Sequence, residues 1–150
     1  MKNIFGFILT ASLIFVADSA QAACSLAKSV YRDVDKRGFE LSFSDRPAGS
    51  VFLATATLTH SKRGKIFEFN VVQSQGYGST WLINRKDNGK SHLVNFFNAD
   101  LTQATVFRSE TSPTYLFVSD LGAADYYRNE LVGSRKIILG DVMWKFYRCR

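Results

Sequence analysis

An apolar residue at every second position, repeated along most of the chain, constrains this sequence more than any other feature. Phe39, Leu41 and Phe43 alternate with Glu40 and Ser42, and Ala54, Ala56 and Leu58 alternate with Thr55, Thr57 and Thr59. Phe67, Phe69 and Val71 then alternate with Glu68 and Asn70. The habit continues through Trp81 and Ile83, Val94 and Phe96, Tyr115 and Phe117, and closes with Val142, Trp144 and Phe146. A period of two is that of a strand with one face on a core and the other in water. Turn residues separate the runs at Asp35–Gly38, Asp45–Gly49, Ser61–Gly64, Gln75–Gly78 and Asp87–Gly89, and less sharply at Asn98–Asp100 and Ser109–Pro113. A chain patterned this way can bury its apolar face only in a sandwich or a closed barrel.

One segment departs from the period. Asp120 is placed to cap a short helix running to about Leu131, with Leu121, Ala124 and Leu131 on one stripe and Gly133 as its stop. A last hairpin is expected from Lys136–Leu139 and Val142–Cys149 about Gly140-Asp141. The reading is an all-β fold, β-barrel or β-sandwich, of eight or nine mostly antiparallel strands in a meander, with one short late α-helix.

The N-terminus predicts export. Lys2 gives a positive start, Ile4–Val16 an uncharged apolar run too short to span a bilayer, and Ala20-Gln21-Ala22 a small-residue cleavage site. Residues 1–22 therefore read as a signal peptide and 23–150 as a single exported β domain, periplasmic or secreted, cleaved near Ala22-Ala23. No other stretch of the sequence is apolar for long enough to span a membrane. In an oxidising compartment, Cys24 and Cys149 are expected to form a disulfide. The alternative, lipid attachment at Cys24, is opposed by Gln21, which stands where a lipobox needs an apolar residue. Two cysteines at opposite ends do not make a metal site, and neither a metal nor a cofactor is implied.

The net charge of +6 survives loss of residues 1–22, because Lys2 and Asp18 cancel. In an up-and-down meander, alternate turns share one end of the fold. The first, third and fifth turns then bring together Lys36, Arg37, Lys62, Arg63, Lys65, Arg85, Lys86 and Lys90. Against these eight stand Asp35 and Asp87, a local balance of +6. The other end has Asp45, Arg46 and Asp100, a balance of −1. Such a rim favours an anionic partner: an envelope glycan, a lipid head group or a protein surface. The bland explanation is that hairpin turns are often cationic because charge there is solvated and blocks edge pairing.

The sequence has two histidines, His60 and His92, and the meander puts both at the basic end. Two imidazoles beside cations have the chemistry of a phosphodiester hydrolase, one as base, one as acid. No Gly-x-Ser-x-Gly, His-Glu-x-x-His or phosphate loop is present, so a non-enzymatic binding module is the first reading and the hydrolase the alternative. A third reading is a carrier of an apolar ligand inside the barrel. A barrel followed by a helix and one more strand resembles a lipocalin in outline, although that family's Gly-x-Trp is absent. The cysteine pair with the Trp144–Cys149 ending is similar to small periplasmic lysozyme inhibitors, without a residue-by-residue match of motifs, and no family is assigned.

Overall fold

A computed structural model describes residues 24–87, 89–106, 111–131 and 137–150. The leader assigned to residues 1–22, the helix stop at Gly133 and Lys136 of the expected hairpin lie outside the described residues. Eight antiparallel strands form a closed barrel in sequence order: β1 (Ser29–Asp33), β2 (Phe39–Asp45), β3 (Ala54–His60), β4 (Gly64–Gln73), β5 (Thr80–Asn84), β6 (Ser91–Phe97), β7 (Tyr115–Val118) and β8 (Met143–Cys149). Helix α1 (Leu121–Leu131) lies between β7 and β8.

The alternation is resolved as a barrel because β8 returns to β1, pairing Ser29 with Cys149 and Asp33 with Trp144. Two register shifts, at Val30/Tyr31 and at Leu58/Thr59, bend the ladders where the wall must curve. Tyr31, Phe39, Phe43, Phe69, Leu82, Leu116 and Trp144 fill the lumen and are almost wholly buried. An eight-stranded barrel is just wide enough for side chains to fill it. The lumen here is a packed core, and the phenylalanines serve packing, as ring contacts such as Tyr31–Phe43 at 5.9 Å illustrate.

The Cys24–Cys149 disulfide is present, with Cα atoms 6.1 Å apart and a sequence separation of 125. In the chain-entropy account a loop of that length is worth up to about 4–5 kcal/mol. The bond joins the segment before β1 to the end of β8, across the seam that closes the barrel.

Of the eight or nine strands expected, eight form among the described residues. Residues 137–140 are not a strand; the Leu139 amide instead donates to Asp125 at 2.8 Å, and the Leu139 carbonyl accepts from Arg37. Helix α1 starts at Leu121 as expected, but Asp120 has φ 58°, a left-handed conformation rather than the extended one usual for a capping residue. Gly122 is required by close approach: a Cβ there would lie 2.2 Å from the Gly140 carbonyl carbon.

Candidate functional site at the basic end of the barrel

Because consecutive strands are antiparallel, the β1–β2, β3–β4 and β5–β6 turns lie at one end of the barrel, and the β7–β8 connection carrying α1 lies there too. The eight rim cations therefore share one end, but they divide into two kinds. Arg63 is structural. Its guanidinium grips the wholly buried Asp125 of α1 through two bonds of 2.8 and 2.6 Å and donates to the Ile137 carbonyl at 2.8 Å. Arg37 donates to the Leu139 carbonyl and lies 3.9 Å from Asp35. These two arginines fasten the β7–β8 connection over the mouth of the barrel.

Lys36, Lys62, Lys65, Arg85, Lys86 and Lys90 are exposed. Lys65 bonds Glu68 at 2.8 Å, and the Arg85 amide donates to the Glu68 carbonyl at 2.9 Å. The Lys65 bond first, then the fields of Arg85 and Lys86, hold the Glu68 carboxyl below the usual carboxylate range. These three cations thus gather about one acid on the outside of β4 and β5. Arg128, which the turns alone do not reveal, joins the same end: it donates to the Ile66 carbonyl at 2.6 Å, with its guanidinium 5.0 Å from the Phe67 ring.

Both histidines are buried. His60 is 3% exposed, lies 4.6 Å from the Phe39 ring, and has both nitrogens engaged. Its Nδ1 accepts from the Lys62 amide at 3.1 Å, which leaves Nε2–H to donate to the Arg37 carbonyl at 2.9 Å. His92 is 5% exposed, and its Nδ1 donates to the Ser119 carbonyl at 3.0 Å. His92 Nε2 finds no hydrogen-bond partner among the described residues and stands edge-on to Phe69 at 5.9 Å. The two rings sit on β3 and β6, which are not neighbours in the barrel. They order the turns beneath the basic end, and nothing in this geometry favours the hydrolase. Among the described residues no cluster of His, Cys, Asp or Glu is placed to hold a metal ion.

On the β1 side of the same end, Lys36 opens into a groove of about 810 Å3 on the outer wall, which also includes Arg32, Glu40, Lys145 and Tyr147. The turns supply no sign of it, since it arises where β8 returns beside β1. The opposite end of the barrel is different in kind: its loops expose Val51, Tyr77 and Leu101. No helix among the described residues is long and apolar enough to cross a membrane. Comparison with family models, with curated proteins and with solved structures returned no match to this chain.

Proposed function

We propose that this protein is an exported, non-enzymatic binding module whose basic end contacts an anionic partner: an envelope glycan, a lipid head group or an acidic protein surface. One observation carries the reading: the sequential meander collects the cationic turns at a single end of a closed barrel. Clustered charge focuses the field and raises the encounter rate with an anion. The filled lumen supports contact by the exterior over carriage of a ligand inside.

The test compares two sets of charge reversals that change net charge equally. Lys62, Lys86 and Lys90 to Glu alters the basic end, whereas Lys28, Arg46 and Arg148 to Glu alters the opposite one. Arg63 and Arg37 are left alone because their loss would loosen the β7–β8 connection. Retention on a sulfated-dextran column should fall strongly for the first set and little for the second, and wild-type retention should weaken with salt, since surface charges are screened over about 8 Å at physiological ionic strength. Equal losses in the two sets would show that overall charge, not a clustered site, attracts the anion.

A further inference from the structure

The groove beside Lys36 differs from the rest of the basic end in shape and in chemistry. It is concave, and its volume of about 810 Å3 lies within the roughly 300–1,000 Å3 range of small-ligand sites. Its wall includes Val34 and Tyr147, with Phe146 behind them packed on Tyr31 of the core at 5.9 Å, so an apolar surface runs along it. Val34 and Tyr147 are nearly half exposed.

Accounting for each charged or titratable group that lines the groove shows which are committed. Asp33 turns its carboxylate to the backbone amides of Arg37, Gly38 and Phe39, the last at 2.8 Å. Glu40 is held by Arg32 at 2.7 Å, and the guanidinium of Arg32 also lies 3.4 Å from the centre of the Tyr147 ring. His60 has both ring nitrogens bonded. Two cations remain, Lys36 and Lys145; neither has an ion pair among the described residues, although the Lys145 Nζ stands 5.7 Å from the centre of the Tyr115 ring. The groove therefore offers an apolar wall and two ammonium groups that carry no ion pair among the described residues.

Lys36 also sits in a conformation that does not suit it. Its φ is 56°, in the left-handed region that glycine and asparagine occupy more readily than lysine. A long cationic side chain held where a smaller residue would relieve the backbone suggests that the charge, rather than the turn, is what the position requires.

We propose that this groove binds an amphiphilic anion, an acidic head group joined to an apolar chain. The chain lies along Val34 and Tyr147, and the head group is received by Lys36 and Lys145. Charge complementarity selects the acidic head, and the size of the groove selects a small amphiphile over a polymer. The proposal rests in part on the reading above, since Lys36 belongs to both, but the groove and Lys145 are its own.

The experiment is titration of the full exported protein with monomeric dodecanoate, below its micelle concentration, by calorimetry, with dodecyl maltoside as the uncharged comparison. A second arm offers the acidic head group within a bilayer, as phosphatidylcholine vesicles containing one quarter phosphatidylglycerol. Dodecanoate should bind at least tenfold more tightly than the maltoside. Lys36→Glu with Lys145→Glu should remove that preference, and Val34→Asp should weaken binding at least tenfold. Lys36→Asn should weaken binding while leaving the melting temperature unchanged or raised, which a merely structural lysine would not do. Lys62, Lys86 and Lys90 to Glu should leave dodecanoate binding within twofold of wild type, although the same variant loses polyanion retention if the basic end acts as proposed. Binding to vesicles but not to dodecanoate would overturn the groove proposal without touching the reading of the basic end. Dodecanoate binding that survives both groove variants would overturn it as well.

Discussion

Replacing Asp125 with alanine tests the most specific contact that organises the basic end. Asp125 has no exposed side-chain surface and accepts two bonds from Arg63 and one from the Leu139 amide. Truncation strips partners from a partly buried guanidinium and a buried backbone N–H together. Breaking a buried ion pair by removing one member costs about 3–5 kcal/mol. Arg63 keeps its bond to the Ile137 carbonyl and retains 18% exposure, so some of its charge is still solvated, and the expected loss lies near the lower bound, about 3 kcal/mol. For a domain of this size that corresponds to a fall in melting temperature of roughly 10–15 °C. Urea unfolding gives the free energy, and hydrogen exchange should show the greatest loss of protection in α1 and at Leu139. Arg63→Met with Asp125→Leu should recover much of the deficit, because an apolar pair carries no unpaired charge. A cost under about 1 kcal/mol for Asp125→Ala, or a double substitution worse than the two singles combined, would refute the claim that this pair holds the connection over the barrel.

Helix propensity alone says that Gly122→Ala should stabilise α1 by about 1 kcal/mol. The added Cβ would meet backbone atoms of Gly140 and Asp141, so the substitution should instead lower stability by about 1–3 kcal/mol in urea unfolding, and a stabilised variant would show that approach to be looser than described. Burial pushes the Tyr31 phenol far above its usual range, with weaker opposing bonds from Ser29 and Ser112. A raised folded pKa means that this contribution is fully present below about pH 10 and is lost as pH rises beyond it, at about 1.4 kcal/mol per pH unit. Between pH 9 and 11 the urea midpoint of Tyr31→Phe should therefore decline less steeply than that of wild type, and parallel slopes would rule out the effect.

Much of the fold was legible because a period of two is a local property, visible within a few residues. Closure into a barrel was not, since it depends on β1 meeting β8, and no pattern within either strand announces its partner. The pairing of Arg63 with Asp125 was hidden for the same reason: the residues are 62 apart, and an arginine in a turn looks like a solvated charge. Asp125 left one sign, an acid four residues after Leu121 on the stripe of α1 that turns inward. The histidines are instructive in the opposite sense. His60 shares the parity of Ala54, Ala56 and Leu58, and His92 that of Val94 and Phe96. Parity placed both rings in the core, whereas position along the chain suggested only that they lie near the cations. The groove could not be read at all, because Lys36 and Lys145 line one wall only after the barrel has closed.

That closure also dictates an order of events during synthesis. Strand β1 leaves the ribosome first and β8 last, yet each forms one side of the same ladder. Until β8 arrives, β1 and β7 each present a row of unpaired amides and carbonyls, the kind of edge on which chains join one another. Pairings so distant in sequence form slowly, because loop entropy is lost before the contacts compensate for it. A nascent chain of this design gains no complete wall by folding early, and Cys24 cannot meet its partner until Cys149, near the end of β8, has been made.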